Sequence, residues 1–160
     1  MVKYYIGIDN GVKGGISVLD SEYNIVEKIV MPVFGTSKKE YDLNKISKFL
    51  KKYNDCFIIL EKAQPQFRDG KKQAFKTGFG YGAIQGILSS LQLSYIIVSA
   101  KEWQKKVFAG LCVDDTKIAS ILFCQRQWPL EDWTATKQSQ KEHDGLTDAS
   151  CLAYYGLITR

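Results

Sequence analysis

The sequence is poor in the side chains that hold soft metals. It has one histidine, His143, and four cysteines, Cys56, Cys112, Cys124 and Cys151, which lie far apart and form no Cys-x-x-Cys pair. That pattern argues against a structural zinc site. Each cysteine stands in or beside an apolar run, so buried free thiols in a reducing compartment are expected. No apolar run approaches the roughly 18 to 20 residues of a membrane-spanning helix. The first residues, Met1 to Asp9, lack the apolar core and cleavage site of a signal peptide and read instead as a strand. A cytoplasmic protein with no membrane partner is the expectation. Low-complexity sequence and internal repeats are absent as well. With 45% hydrophobic, 12% aromatic and 24% charged residues the composition is globular, and 160 residues suit one domain over residues 1–160.

The charge that is present is unevenly placed. From Lys38 to Lys76 there are eleven basic and five acidic residues, a local +6 in a chain whose net charge is +5. A concentrated basic stretch suits a polyanionic partner, nucleic acid being the commonest, although a solvated lysine-rich face has the same composition.

Tyr4 to Asp9, Gly15 to Leu19 and Asn24 to Val30 are short apolar or β-branched segments separated by Asn10-Gly11, Gly14-Gly15 and Asp20-Ser21 turn signals. They predict a three-stranded meander. Ser37-x-x-Glu40 has the form of a capping box before a helix carrying Leu43, Ile46, Phe49 and Leu50 and ending near Asn54. Cys56 to Glu61 is an apolar run closed by a charge, as in a buried parallel strand. A polar loop, Gln64 to Lys72, leads into a glycine-rich helix through Leu91, and Leu93 to Val98 is a further buried strand. Ser99 and Asp115 can cap two helices, the second with Ile118, Ile121 and Leu122 on one face. Trp128 to Glu142 reads as an exposed loop and Asp144 to Ile158 as a closing helix; Trp103, Trp128 and Trp133 read as packing residues, of which only Trp133, in the polar loop, is also a plausible contact surface. This order predicts an α/β architecture with a mixed five-stranded sheet and helices on both faces. It resembles the ribonuclease H-like fold.

The chemistry-bearing residues are acidic. Asp9 ends the first strand, Glu61 ends the buried run, and Asp144 and Asp148, four apart, share a face of the last helix. An acid that ends a buried strand is costly unless it is paired or binds a metal. Carboxylates converging without thiolate select hard cations, Mg²⁺ or Mn²⁺, and two such ions can assist hydrolysis of a phosphodiester. Taken singly, each acid has an ordinary reading: a turn residue at Asp9, a salt bridge at Glu61, a helix cap at Asp144. His143, beside Asp144, is a candidate proton shuttle or a surface histidine at a helix start. Gly78, Gly82 and Gly86 form a stripe that would allow close approach of either the protein's own sheet or a second subunit.

Gly7-Ile8-Asp9-Asn10-Gly11, Ile59-Leu60-Glu61-Lys62, Phe79-Gly80-Tyr81-Gly82, Ser99-Ala100-Lys101-Glu102-Trp103 and His143-Asp144-Gly145-Leu146-Thr147-Asp148-Ala149 occur in this order over nearly the whole chain. The set resembles the RuvC-type Holliday-junction resolvases, and within them the RuvC-like proteins of bacteriophages. The resemblance implies a homodimeric endonuclease acting on branched DNA at four-way junctions. It further implies two Mg²⁺ ions per site and four acidic ligands matching Asp9, Glu61, Asp144 and Asp148. It also implies two functional lysines about eleven residues apart, matched by Lys106 and Lys117, with Lys105 an alternative to the first. An aromatic that stacks on junction bases is also implied; the matching place holds Gln64, and Phe67, three residues later in a basic segment with Arg68, Lys71, Lys72 and Lys76, is the candidate, either as a base-stacking wedge or as a loop anchor. Two features depart from the family pattern: Asn10 stands where proline is usual, and the last two acids are spaced by four rather than three. Three other readings remain: a ribonuclease H-like nuclease acting on RNA/DNA hybrid or other branched DNA, a non-catalytic nucleic-acid-binding module, and an actin-like ATPase. For the last the chain is too short to hold both of the usual domains.

Overall fold

The computed structural model describes residues 2–35, 38–64 and 70–160. Along the chain run β1 (Tyr4–Asp9), β2 (Gly15–Asp20), β3 (Ile25–Val30), β4 (Val33–Phe34), β5 (Glu40–Tyr41) and α1 (Leu43–Leu50). They are followed by β6 (Cys56–Glu61), α2 (Lys71–Ser90), β7 (Ser94–Val98), α3 (Ala100–Val107), α4 (Thr116–Gln127) and α5 (Asp144–Thr159). The main sheet has the order β3-β2-β1-β6-β7. β1, β2 and β3 pair antiparallel, while β6 pairs parallel with both β1 and β7.

Side-chain alternation along β6 shows how the two faces are built. Ile58 and Leu60 join Ile6 and Ile8 of β1, Ile46 and Leu50 of α1, and Ile84 and Leu88 of α2 in one core. Ile59, between them, joins Trp103 of α3, Cys124 of α4 and Leu146 and Leu152 of α5 in the other. All three β6 residues are fully buried, each contributing roughly 1.5–3 kcal/mol of transfer free energy. Helices therefore cover both faces of a mixed five-stranded sheet, as the sequence predicts. Buried hydroxyls under α5 are paired: those of Ser17 and Ser150 lie 2.8 Å apart, and those of Ser120 and Thr147 lie 3.0 Å apart.

Several local expectations are corrected. Residues 38–41 do not begin a helix. Glu40 and Tyr41 pair with Val33 and Phe34 in a two-stranded hairpin, and α1 starts at Leu43 with the Asp42 carboxylate accepting from Lys45 N. Ser37 lies outside the described residues. α1 ends at Leu50, short of Asn54. β7 is the sheet edge and is only partly buried, with Ile97 exposed. Ser99 and Asp115 do cap α3 and α4, but α4 buries Ala119, Ser120 and Cys124 and leaves Ile118 exposed. Of the two readings of Trp133, packing holds and contact surface does not: it is buried against Trp128, with the Lys28 ammonium 4.9 Å from its ring centre. Of the cysteines, Cys56, Cys124 and Cys151 are buried free thiols, whereas Cys112 is exposed.

Candidate functional site

The parallel register of β1 and β6 places Ile8 opposite Leu60, so the next residue on each strand, Asp9 and Glu61, emerges at the same end of the two central strands. α5 brings the other two acids. Its first turn abuts the β1–β2 turn so closely that a side chain on Gly15 would meet the Gly145 carbonyl at 2.7 Å. Asp144 and Asp148 lie on the first two turns of that helix.

The four carboxyls share one electrostatic field. Burial pushes Asp9 up to about 7, helped by the negative charges of Glu61 and Asp144 and opposed by the Gly11 N–H and Lys117. Glu61 is pushed up to about 7 by burial and by Asp148. Asp148 also stands at about 7, raised by burial and by Asp9 and Asp144, with Ser120 and Lys117 acting in the opposite sense. Asp144 differs. Burial raises it too, but the Lys117 ammonium, 3.0 Å from Oδ2, outweighs burial and holds the carboxyl below its ordinary value. Three acids with raised pKa values beside a fourth held ionised are what results when carboxylates are gathered with too little positive charge.

The donors are carboxylate oxygens, which suit a hard dication. Among the described residues, no three His, Cys, Asp or Glu side chains are close enough together to hold one ion jointly. Joint ligation therefore requires side-chain rotation. The backbone supplies the convergence, and a dication would supply the charge that the cluster lacks.

Lys117 is at this site, whereas Lys106 is exposed on the last turn of α3 and makes no hydrogen bond or ion pair with the acids. His143 occupies the N-cap position of α5 without capping it, and burial lowers its pKa. Lys71 and Lys72 open α2 rather than close a loop, and Lys76 lies in its second turn. Phe67 and Arg68 lie outside the described residues. Away from the acids lies a groove of about 990 Å³ between the β4–β5 hairpin, α1 and the start of α2, and it includes Lys38, Lys39, Lys72 and Lys76.

Sequence reasoning missed three residues here. Asn10 is buried, and its side-chain amide donates to the Glu61 carbonyl at 2.5 Å. Tyr41 donates its hydroxyl to the Asn10 carbonyl at 2.7 Å. Trp103, which reads as a packing residue, is fully buried with its indole N–H unpartnered; that N–H favours the charged form of Glu61 without making a well-formed hydrogen bond to it. Only Asn10 left a signal, as a departure from the usual proline.

No protein-family model and no curated protein sequence matches this chain. Among solved structures it is similar to T. thermophilus RuvC in complex with Holliday junction substrate. The TM-score is 0.67 at 18% identity, over 97% of this chain and 93% of that one. The fold is RuvC-like. A second structure of Thermus thermophilus RuvC aligns with a TM-score of 0.59 at 16% identity, over 97% of this chain and 94% of that one. The RuvC-like fold accounts for the element order, the mixed sheet and the position of α5 across it.

Proposed function

We propose that residues 1–160 form a single nuclease domain, a metal-dependent endonuclease that resolves four-way DNA junctions. The observation that carries this reading is the gathering of Asp9, Glu61, Asp144 and Asp148 by β1, β6 and α5 at the C-terminal ends of the central strands of a RuvC-like fold. The choice of substrate draws on the similarity to RuvC in complex with a Holliday junction and on the basic stretch beside the site. The phage-encoded branch of that family, working in the host cytoplasm, fits the motif set best.

Asp9, Glu61, Asp144 and Asp148 would hold two Mg²⁺ ions, or Mn²⁺ in their place, which would supply activation of a water nucleophile and neutralisation of charge on the scissile phosphate. The protein's own residues do the rest. Asp9 and Glu61 sit on hydrogen-bonded strand ends, so little conformational freedom is lost when they ligate. Lys117 keeps Asp144 ionised and places a positive charge at the edge of the cluster, where a phosphate oxygen would approach. Lys71, Lys72 and Lys76, with Arg68, neutralise backbone phosphates. Phe67 is the base-stacking residue in this reading, and Lys106 is assigned to the outer DNA path.

The test is cleavage of synthetic four-way junctions, flaps, duplex and RNA/DNA hybrid with Mg²⁺, Mn²⁺ or Ca²⁺. Symmetric paired nicks in the junction with Mg²⁺ or Mn²⁺ are expected. Preferential cutting of the hybrid would replace this reading with that of a ribonuclease H. Junction binding without cleavage under any metal would make the chain a binding module.

A further inference from the structure

We propose that Asn10 and Tyr41 form a positioning strap that fixes Asp9 relative to Glu61 and ties both to α2; the proposal rests on the metal-site reading above. Regular pairing between β1 and β6 ends at Ile8 and Leu60. The two acids thus lie just past the last ladder pair, where sheet twist makes neighbouring strands diverge. The Asn10 amide bridges that point by donating to the Glu61 carbonyl at 2.5 Å, so it links the residue after one acid to the backbone of the other. Asn10 is 6% exposed, and the bond is partly buried.

Asn10 is in turn held from the other side. Its carbonyl accepts from the Tyr41 hydroxyl at 2.7 Å, and Tyr41 is itself 6% exposed. The Tyr41 ring lies against Gly80 of α2, where any side chain would collide with the ring and the hydroxyl. A continuous path therefore runs from α2, the helix that carries Lys71, Lys72 and Lys76, through Tyr41 and Asn10 to Glu61. The proline usual at this position in the resembling family has no side-chain donor, so it could not make the bond. The strap is a property of this chain.

Asn10→Ala and Tyr41→Phe test it in three assays: Mn²⁺ titration calorimetry without DNA, junction binding in Ca²⁺, and cleavage kinetics. Partners that orient metal ligands are typically worth about 10- to 100-fold in metal affinity. Asn10→Ala is expected to weaken Mn²⁺ binding about 10-fold and to lower kcat at limiting Mn²⁺. Junction binding and KM should be unchanged, and kcat should recover at saturating Mn²⁺. Tyr41→Phe, which keeps the ring on Gly80, should move the same readouts in the same direction by a smaller factor, and it decides the matter if Asn10→Ala does not fold. Folded variants that bind Mn²⁺ as tightly as wild type, while Glu61→Gln abolishes binding, overturn the strap and leave the metal site standing. Parallel loss of stability, junction binding and Mn²⁺ affinity, not restored by Mn²⁺, overturns it as well. Wild-type Mn²⁺ binding that is absent or insensitive to Glu61→Gln overturns the metal-site reading and the strap together.

Discussion

At the scale of single residues, the acids make opposite demands on stability and on function. Asp9, Glu61 and Asp148 have folded pKa values of about 7, above the ordinary carboxylate range near 4. Because the folded state binds these protons more tightly than the unfolded chain does, these groups favour folding least at high pH. Their contribution falls as pH rises from about 4 to about 7 and stays low beyond that. The metal-free protein is therefore expected to melt at a lower temperature at pH 8 than at pH 5, and Mn²⁺ should raise Tm more at pH 8 than at pH 5. Each kcal/mol relieved corresponds to about 2–4 °C in a chain of this size. Calorimetry at the two pH values with and without Mn²⁺ checks this, and an equal shift at both would detach the ion from these carboxyls. The same reasoning applies to substitution. Asp9→Asn or Glu61→Gln removes a negative charge, so it should raise Tm at pH 8, abolish cleavage, and leave junction binding intact or tighter. Full cleavage by purified Glu61→Gln would refute the site. Asp144→Asn should also stop cleavage, but without the gain in Tm, because its carboxylate already has Lys117 as a partner.

At the scale of elements, α2 gives the sharpest test of where DNA lies. Lys71 and Lys72 are exposed in its first turn, and Lys72 borders the basic groove. If both contact phosphates, Lys71→Ala/Lys72→Ala should reduce the slope of log K against log salt by about two units. An unchanged slope places the DNA elsewhere. The elements also show what could be read from the sequence. β1, β2 and β6 were legible because apolar runs bounded by turn residues suffice to define them. The Ser99 and Asp115 caps were legible because such a side chain bonds to backbone only two or three residues away. The four acids could be read because Asp9 and Glu61 end strands, Asp144 starts a helix, and Asp148 follows it by about one helical turn. The β4–β5 hairpin was not legible, since two residue pairs leave no periodic pattern and the burial of Tyr41 depends on Asn10 and Gly80. Trp133 leaves two readings open in the sequence for a related reason: a polar-looking segment hides a side chain packed on Trp128 and Lys28, the latter more than 100 residues away. The Asn10 bond to Glu61 spans 51 residues, and spacing does not announce such a partner.

At the scale of the whole molecule, the proposed reaction calls for two active sites. One set of four acids cuts one strand at a time, whereas resolving a four-way junction takes nicks on two opposing strands, so a two-fold homodimer is the expected working unit. The structure narrows where its interface would lie. Gly78, Gly82 and Gly86 do not pack on the sheet; a side chain added at any of them would meet nothing within 4 Å. Phe75 and Phe79, 76% and 53% exposed, continue the same open side of α2 toward its N-terminus. A helix face of this kind, smooth along one half and aromatic along the other, allows the close backbone approach that a helix pair across a dyad needs. Gly82→Leu is therefore expected to fold, and with a helix propensity better than glycine's by up to about 1 kcal/mol its monomer should be no less stable than wild type. Sedimentation of the wild-type protein at micromolar concentration should give about twice 18.1 kDa, and Gly82→Leu should give a folded monomer that no longer makes paired incisions. A Gly82→Leu protein that remains dimeric moves the interface off α2. A wild-type monomer that still makes paired incisions removes the need for a dyad altogether.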